Sequence, residues 1–346
     1  MSRPLSLKVA AIEQETDDAV TIHLRQPLLR RIRYEPGQYL TLEFDVEGGK
    51  GCRAYSISST PGLDRALAIT VKRVAGGQVS NRLVGQLAAG DRVRALGAQG
   101  RFTFAPRPGQ GRHIVLFAAG SGISPIFSIL RSALHFEADA RVTLIYGNRH
   151  AGAVIFGDKL EALQRSFAGR LQVLHVFSQP QQPCRYSGRL SRERVVELLG
   201  ALPDLQLARC EFYTCGPAAM MDEVTAALEG LGVGREAIHQ ECFTPRQTSG
   251  SGEVRAARRV SLLLHGQEHQ FVVGAGQSIL DAALENGLQP PFSCRSGFCT
   301  ACVCTRLAGE VGMGHEHGLS AAELERGQAL MCVGFPLSDD VRLKID

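Results

Sequence analysis

Four cysteines near the end of the chain constrain its fold more than any other feature. Cys294, Cys299 and Cys302 follow the spacing C-x4-C-x2-C, and Cys332 comes further along the chain. This is a spacing with which four thiolates hold one [2Fe–2S] cluster. Gly297 lies between the first two ligands, where a loop that wraps closely around a cluster has little room for bulk. The pattern therefore predicts that these four cysteines are metal ligands and that the chain carries electrons one at a time.

The composition places the chain among ordinary globular proteins and excludes several other classes. Its 346 residues allow two or three domains, and an apolar content of 44% supports real hydrophobic cores. The net charge of +4 is small and the basic residues are scattered, which predicts a solvated surface rather than a nucleic-acid-binding patch. No apolar run approaches the roughly 18 residues of a membrane span, and the N-terminus lacks the apolar core of a secretory signal. A cytoplasmic protein is expected.

The remaining thiols and histidines do not predict a second metal site. Ten cysteines are enough for disulfides, but clustered spacing without a signal for an oxidising compartment indicates metal ligation instead. Cys304 is interpreted as a spare thiol or a packing residue, because four ligands are already present. His315 and His317 share one face of an extended segment, yet no further ligand is placed nearby, so a structural or exposed loop is expected. Four other cysteines are expected to be small buried side chains: Cys52, Cys184, Cys210 and Cys242.

Hydrophobic periodicity changes along the chain and divides it into three domains and a linker. Residues 1–106 contain short strands separated by Gly and Pro, which predicts an antiparallel β-barrel. In residues 107–244 apolar strands alternate with helices, the pattern of an α/β domain with a parallel sheet. Residues 245–258 are polar and aperiodic, as expected of a linker. Residues 259–346 are enough for a small independent domain that contains the cysteine ligands.

Two motifs of the first domain carry groups suited to a nucleotide with a flat ring. Arg53, Tyr55 and Ser56 stand in the segment R-A-Y-S-I-S-S and offer a cation, an aromatic plane and a hydroxyl. Taken alone, this segment is short enough to occur by chance, and a cross-strand structural set is then favoured. Gly77 and Ser80 belong to the later turn G-G-Q-V-S-N, which precedes a short predicted helix whose backbone amides suit a diphosphate. The alternative for this turn is a simple hairpin.

Two motifs of the second domain end predicted parallel strands. Gly120 to Pro125 spell G-S-G-I-S-P, which lacks the third glycine of the dinucleotide fingerprint but lies where a nucleotide binds such a sheet. Cys215, Gly216 and Pro217 end another strand, where a thiol can lie against a nicotinamide ring. The alternative is a buried thiol beside a turn. Each of these motifs is weak when it is considered alone.

Taken in order, the motifs resemble the ferredoxin–NADP reductase superfamily with a plant-type ferredoxin domain fused at the C-terminus. The resemblance rests on R-A-Y-S-I-S-S, G-G-Q-V-S-N, G-S-G-I-S-P, I-Y-G-N-R, Y-T-C-G-P and the cysteine quartet. Within the superfamily the chain is most similar to the reductase components of multicomponent oxygenases. The resemblance implies an FAD-binding antiparallel β-barrel, an α/β domain that binds NADH or NADPH, and an α+β ferredoxin domain of the β-grasp type. It implies an oxidoreductase that passes electrons from NAD(P)H through FAD to a [2Fe–2S] cluster and on to a partner oxygenase or hydroxylase.

Carried over position by position, the resemblance also implies which residues hold the cofactors. Ser56, near the reactive ring nitrogen, and Cys215, beside the nicotinamide, are implied as the catalytic positions, acting by orientation rather than as acid or base. The implied FAD site contains Arg53, Tyr55, Ser56, Thr70, Val71, Lys72, Gly77, Ser80 and Phe243. The implied nicotinamide-nucleotide site contains Gly120, Gly122, Ser124, Arg149, Cys215, Gly216 and Pro217. The pyrophosphate contacts implied for Gly77 and Ser80 favour FAD over FMN.

Two positions depart from the family pattern, and the electron acceptor is the least constrained part of the prediction. NADPH-dependent members often carry Ser-Arg at the position that reads Ser178-Gln179 here, and the arginine binds the 2′-phosphate. Because Gln179 stands in place of that arginine, the sequence favours NADH. Arg149, Arg185 and Arg189 are possible substitutes that keep NADPH open. Cys242 stands where arginine is more usual. For the acceptor, the alternatives are a non-oxygenase partner such as a hybrid-cluster protein, a stand-alone NAD(P)H oxidoreductase, and a non-catalytic redox sensor.

Overall fold

The structure is a computed structural model of the chain. It describes residues 4–27, 31–46, 49–243, 256–264, 266–292, 297, 301–313, 317, 319 and 321–345. They form two compact units that divide between Phe243 and Thr244, and each unit has its own sheets and apolar core. Among the helices of these ranges, none is both long and apolar enough to cross a membrane.

The first half of the first unit is an antiparallel β-barrel. Its strands are β1 (Leu5–Thr16), β2 (Ala19–Arg25), β3 (Tyr39–Val46), β4 (Gly49–Ser56), β5 (Leu67–Lys72) and β6 (Arg92–Gln99), with helix α1 (Gln78–Gly85) between the last two. They hydrogen-bond in the order β4-β3-β6-β1-β2-β5, and a bridge between Ile57 and Ile69 brings the two ends of the sheet together. Alternate side chains of β2, including Ile22 and Leu24, point into one apolar core. The predicted barrel is confirmed.

The second half of the first unit is a parallel five-stranded sheet with helices between the strands. The strands are β7 (His113–Ala119), β8 (Arg141–Asn148), β9 (Leu171–Phe177), β10 (Cys210–Gly216) and β11 (Ile238–Cys242). The helices are α2 (Ile123–Phe136), α3 (Gly157–Ser166), α4 (Arg192–Gly200) and α5 (Ala218–Gly230). The strand order is β11-β10-β7-β8-β9 and every pair is parallel. Because parallel strands end at one edge, the segments that follow β7, β8 and β10 gather there.

A buried ion pair lies beneath this sheet, at its junction with the barrel. Arg112, just before β7, donates from Nε and Nη2 to the two carboxylate oxygens of Glu137, at 3.0 and 2.5 Å. Arg112 also donates to the backbone carbonyl of Ala105 at 2.9 Å. The side chains of Arg112 and Glu137 are 6% and 0% exposed, so water cannot replace the Glu137 carboxylate, and Glu211, whose Oε1 lies 2.7 Å from Arg112 Nη1, is the second carboxylate beside the guanidinium.

Replacement of Glu137 by alanine is therefore expected to lower the free energy of unfolding of the first unit by about 3 kcal/mol, because the buried guanidinium loses its two-bond partner and keeps the Glu211 carboxylate, whose Oε1 lies 2.7 Å from Arg112 Nη1. Urea denaturation of the full chain measures the loss. Glu161→Ala is the matched control, since Glu161 and Arg165 form an exposed pair at 3.7 Å that contributes little. Equal losses for both variants would contradict this account of the ion pair.

The second unit is an α+β domain of the β-grasp type. Its strands are β12 (Arg258–Leu264), β13 (Gln267–Val273), β14 (Val303–Ala308), β15 (Val311–Met313), β16 (Gln328–Leu330), β17 (Gly334–Pro336) and β18 (Val341–Ile345), and its helices are α6 (Ile279–Glu285) and α7 (Ala321–Glu325). The main sheet has the order β13-β12-β18-β14-β16, with β12 and β18 parallel. Helix α6 begins after Ser278, whose hydroxyl accepts the N–H of Asp281 at 3.1 Å. Its apolar face packs into the core that also contains Cys302 and Cys332.

Two strands of the first unit, β1 and β11, show little of the hydrophobic pattern from which strands are predicted. The buried apolar side chains of β1 are Leu7 and Val9, so most of this long strand shows no apolar alternation. The edge strand β11 reads I-H-Q-E-C and buries only Cys242. Both strands are held mainly by backbone hydrogen bonds to a neighbouring strand. Because few of their side chains are buried, their own residues show little hydrophobic periodicity.

Candidate functional site

The end of β4 carries the first group of predicted site residues. Arg53 is exposed, and its guanidinium donates to the backbone carbonyl of Cys52 at 2.8 Å. Tyr55 is mostly enclosed, and burial raises the pKa of its phenol to about 12. Ser56 is 4% exposed, and its Oγ has no hydrogen-bond partner among the described residues. A buried hydroxyl of this kind is normally satisfied, so it fits a group that accepts or donates at this position.

Strand β5 contains three further predicted flavin residues, which differ in orientation. The Thr70 side chain is buried, and its hydroxyl lies 2.9 Å from the hydroxyl of Ser58. The Val71 side chain belongs to the barrel core, so only its backbone is available to a cofactor. Lys72 extends its ammonium to within 3.5 Å of the carboxylate of Asp18.

The glycine turn after β5 leads into helix α1, as the motif predicts. Gly77 caps the helix, and a Cβ on it would lie 2.7 Å from Ser80 Oγ, so glycine allows a close approach there. The Ser80 hydroxyl accepts the backbone N–H of Val74 at 3.1 Å. The first N–H groups of the helix have no partner within it, and with the helix dipole they form a site for an anion such as a diphosphate.

These residues fit FAD by their chemistry. The unpartnered hydroxyl of Ser56 suits a ring nitrogen, and the enclosed aromatic ring of Tyr55 suits one face of a flat ring system. The amides at the start of α1 suit the diphosphate that FAD has and FMN lacks. Phe243, at the end of the first unit, is 41% exposed and thus presents a second aromatic surface. The assignment of these residues to FAD stays a prediction.

The glycine turn after β7 is pressed against the end of β10. Residues 120–122 form one turn of 3₁₀-helix, and Gly120 has a φ of +53° that favours glycine. The carbonyl of Gly120 accepts the hydroxyl of Tyr146 at 2.9 Å. A Cβ on Gly122 would overlap the carbonyl oxygen of Cys215. The turn and the C-G-P motif, which are remote in sequence, therefore form one site.

Cys215 lies at the centre of this edge and has a neutral thiol. Its side chain is fully buried, and burial raises its pKa well above the ordinary value, with the nearby carboxylate of Glu241 adding to the effect. The thiol therefore stays protonated throughout the neutral range. Ser124, in the first turn of α2, is 2% exposed, and its Oγ has no hydrogen-bond partner within the described ranges. A neutral thiol and an unpartnered hydroxyl suit an uncharged nicotinamide amide and ring better than a phosphate.

The other predicted nucleotide residues lie at the same edge of the sheet. A Cβ on Gly216 would lie 2.9 Å from the Met220 methyl group, so the backbone is again closely approached. Pro217 directly precedes helix α5, whose start faces this edge. Arg149 follows β8, is 58% exposed, and lies 3.4 Å from the carboxylate of Asp18.

Glu241 is a residue to which the sequence analysis gave no role. It pairs in register with Cys215 across β10 and β11, and its charge acts on the Cys215 thiol. The residues of β11 show almost no hydrophobic pattern, so the sequence gives little indication of this strand. The parallel pairing of β11 with β10 places Glu241 at the site. Glu241 is therefore a candidate for the polar lining of the nicotinamide site.

Two of the four predicted cluster ligands lie side by side in the second unit. Cys302 and Cys332 are both buried, and the N–H of Cys332 lies 3.5 Å from Cys302 Sγ. Gly297 has a φ of +83°, and a Cβ on it would lie 3.0 Å from Val333, the neighbour of Cys332. Gly297, which stands between the first two ligands in the sequence, therefore lies beside the neighbour of the last ligand, and four cysteines at this spacing fit an iron–sulfur cluster. Cys294 and Cys299 lie outside the described residues.

Cys304 and His317 are neighbours of this region with other roles. The Cys304 thiol donates to the carbonyl of Ala329 at 3.4 Å, and burial raises its pKa to about 12, as expected of a packing residue. His317 lies near Gly297, whereas His315 and Glu316 are outside the described residues.

Three family models match the chain in the order that the fold suggests. Residues 6–104 match the oxidoreductase FAD-binding domain and residues 116–226 match the oxidoreductase NAD-binding domain. Residues 262–337 match the 2Fe-2S iron-sulfur cluster binding domain. Together the matches support FAD, a nicotinamide nucleotide and a [2Fe–2S] cluster as the cofactors.

Two curated proteins are similar over almost their whole length. The chain is 36% identical to a subunit of 1,2-phenylacetyl-CoA epoxidase from Escherichia coli K12, over 99% of this chain and 97% of that protein. It is also 36% identical to the ferredoxin reductase component of 3-ketosteroid-9-alpha-monooxygenase from Mycobacterium tuberculosis, over 99% of this chain and 96% of that protein. Among solved structures, phthalate dioxygenase reductase shares the fold with a TM-score of 0.62 and 23% identity, covering 99% of this chain and 98% of its own.

Proposed function

The chain belongs to the family of oxidoreductases that join FAD-binding, NAD-binding and 2Fe–2S domains in one polypeptide, and we propose that it is the reductase component of a multicomponent oxygenase. In this role it takes electrons from NADH and delivers them to an oxygenase or hydroxylase. The observation that carries the proposal is that sites for a two-electron donor and for a one-electron carrier occur in the same chain, and that its relatives are named as components of an epoxidase and of a monooxygenase.

The cofactors supply the redox chemistry, and the side chains supply binding and orientation. Arg53 and the start of α1 hold the phosphates of FAD, while Tyr55 and Phe243 cover its ring. Ser56 and Cys215 orient the ring and the nicotinamide towards each other without donating or removing a proton. Cys294, Cys299, Cys302 and Cys332 hold the cluster.

The proposed division of labour follows the domain boundaries. Residues 1–106 bind FAD, residues 107–244 bind the nicotinamide nucleotide, residues 245–258 link them to the cluster domain, and residues 259–346 hold the cluster. We place the protein in the cytoplasm, because the clustered cysteine spacing indicates metal ligation, which a reducing compartment supports.

NADH is the proposed donor. Gln179 occupies the place where an arginine would hold a 2′-phosphate. Two of the arginines that could replace it are engaged elsewhere: Arg149 lies beside Asp18, and the Arg185 guanidinium lies over the Tyr186 ring at 5.0 Å.

Replacement of Ser56 or of Cys215 by alanine is expected to slow flavin reduction by NADH about tenfold or more, because each change removes an orienting contact at the site of hydride transfer. Stopped-flow absorbance at saturating NADH measures the rate constant. Folding is expected to be retained, since both replacements shorten a side chain without introducing a charge. The same rate constant in both variants and in the wild type would mean that the assigned site is wrong.

The proposed function is tested by the choice of acceptor. The FAD- and cluster-loaded protein is mixed with NADH, first in aerated buffer alone and then with cytochrome c as a one-electron acceptor. A delivery protein is expected to oxidise NADH slowly with oxygen alone and rapidly with cytochrome c. Rapid turnover with oxygen alone would indicate a stand-alone oxidoreductase and contradict the proposal.

A further inference from the structure

A chain of buried polar side chains joins the nucleotide-binding half of the first unit to the strand that lines the proposed flavin site. Its centre is Glu15, near the end of β1, whose side chain is only 5% exposed. One carboxylate oxygen accepts the hydroxyl of Thr21 at 2.7 Å and the ammonium of Lys159 at 2.6 Å. The other oxygen accepts the backbone N–H of Phe156 at 3.3 Å. A buried carboxylate with donors from both halves of the unit holds them in one arrangement.

On the barrel side, the network reaches β5. Thr21 and Thr70 pair in register across β2 and β5, and their hydroxyl oxygens are 2.8 Å apart. Because the single hydroxyl proton of Thr21 is donated to Glu15, Thr70 donates to Thr21. The hydroxyl oxygens of Thr70 and Ser58 are 2.9 Å apart. All three hydroxyl residues are 4% exposed or less, so these bonds fix their rotamers without competition from water. A shift of the Glu15 carboxylate would therefore move Thr21 and, through it, Thr70, a proposed flavin-lining residue.

On the nucleotide side, the network ends at a strained residue. Phe156 directly precedes α3 and has a φ of +63°, a conformation that is costly for a bulky side chain. Its ring stacks on Phe127 of α2 with centroids 4.1 Å apart, and the Lys159 ammonium lies 5.1 Å from the Phe156 ring centroid. Helix α2 starts directly after the glycine turn that is proposed to hold the nucleotide. Contacts that hold Phe156 therefore also hold the helix that begins at the nucleotide site.

We propose that Glu15 is a positioning residue for hydride transfer. On one side, Glu15 binds Lys159 and Phe156, which hold helices α3 and α2, and α2 begins at the nucleotide turn. On the other side it binds Thr21, which contacts Thr70 of β5, the strand proposed to line the flavin. The inference rests on the proposed function, because it concerns the geometry of donor and flavin. Misplacement of reacting groups by about 1 Å costs up to about a hundredfold in rate, so such a connection has a measurable consequence.

Glu13 provides a natural comparison. It also accepts a hydrogen bond from Lys159, at 2.7 Å, and lies 3.4 Å from His23. Its side chain is 45% exposed, and although Glu13 pairs in register with Thr21, the Thr21 hydroxyl donates to Glu15. Glu13→Gln therefore removes a carboxylate from the same lysine while leaving in place the hydrogen bonds that join Glu15, Thr21 and Thr70, which makes it the matched control for Glu15→Gln.

The test compares E15Q and E13Q in the FAD- and cluster-loaded protein. Stopped-flow reduction at saturating NADH is expected to be slowed about tenfold in E15Q and to stay within about twofold of wild type in E13Q. The dissociation constant for FAD, measured by flavin fluorescence, is expected to change less than about threefold in either variant. In the apoprotein, the backbone amides of β5 are expected to exchange hydrogen faster in E15Q than in E13Q, because only E15Q disturbs Thr21 and Thr70.

Thr70 supplies a second test of the same network. Thr70→Val removes the hydroxyl and is expected to slow flavin reduction, whereas Thr70→Ser retains the hydroxyl and is expected to restore most of the rate. Because Glu15 and Thr70 act through one hydrogen-bonded chain, the double variant E15Q/T70V is expected to be no slower than the slower single variant.

The outcomes separate this inference from the function on which it rests. A wild type that is reduced rapidly, together with an E15Q variant that is reduced equally fast, would overturn the positioning role alone. So would an E15Q variant that loses FAD affinity and thermal stability while its saturated rate is unchanged, since that pattern describes a purely structural residue. A wild type that NADH does not reduce would overturn the proposed function and the positioning role with it.

Discussion

Replacement of Cys302 or Cys332 by serine is expected to abolish the cluster and with it electron delivery, while flavin reduction by NADH continues at nearly the wild-type rate. The two thiols are buried side by side, with the N–H of Cys332 3.5 Å from Cys302 Sγ. Serine replaces a soft thiolate with a hydroxyl that stays protonated at neutral pH, so it binds iron poorly. Loss of a direct ligand is expected to reduce cytochrome c reduction more than about 100-fold, since even outer-shell changes at metal sites cost 10–100-fold.

The measurements are the visible and electron paramagnetic resonance spectra of the cluster, cytochrome c reduction, and stopped-flow reduction of the flavin. Cys304→Ser is the matched control, because Cys304 is equally buried and two residues from Cys302 but donates its thiol to Ala329. This variant is expected to keep the cluster. A C332S protein with a normal cluster spectrum, or a C304S protein without one, would show that the ligand set is assigned wrongly.

The second large effect is expected at Gly122, where alanine should reduce the rate of flavin reduction by NADH about a hundredfold. A Cβ at this position would overlap the Cys215 carbonyl oxygen and lie 2.9 Å from the Gly216 nitrogen. Both contacts are with backbone, which cannot rotate away as a flexible side chain can. The turn must therefore move away from the end of β10, and a displacement of about 1 Å is enough for an effect of this size.

Gly200→Ala is the control for this variant, because a Cβ on Gly200, at the end of α4, meets nothing within 4 Å. The two variants carry the same chemical change in the same parallel-sheet domain. Stopped-flow reduction and NADH affinity are expected to change in G122A and to stay near wild type in G200A. A G122A protein with the wild-type rate would contradict the close approach of the turn to Cys215.

Much of the fold was predictable because each domain has its own periodicity. The strand-rich barrel, the alternating strands and helices, and the cysteine-bearing domain each leave a pattern in their own residues. In the first unit, strands β1 and β11 bury few side chains and depend on pairing with a neighbour, so their own residues carry little pattern from which to predict them. Val71 illustrates a finer limit: its motif indicates a place beside the flavin, but only the structure shows that its side chain faces the barrel core.

The site residues divide in the same way. Glycine turns and cysteine spacing are local, so Gly77, Gly122 and the cluster ligands are visible in the sequence. Glu241 and Glu15 are brought to the site by the pairing of strands that are distant in sequence. No short sequence motif predicts contacts of this kind. Thr21 and Thr70 lie 49 residues apart, yet their hydroxyls are 2.8 Å from each other. Residues that position others across a fold are therefore the ones that sequence motifs miss.

Anaerobic titration of the loaded protein with NADH, and separately with NADPH, tests the central claim most directly. The flavin takes two electrons and the cluster one, so about 1.5 equivalents of a two-electron donor are expected to bleach both chromophores. NADH is expected to do so faster and more completely than NADPH. A flavin that is reduced while the cluster stays oxidised would break the proposed electron path, and bleaching of neither chromophore by either nucleotide would contradict the reductase function itself.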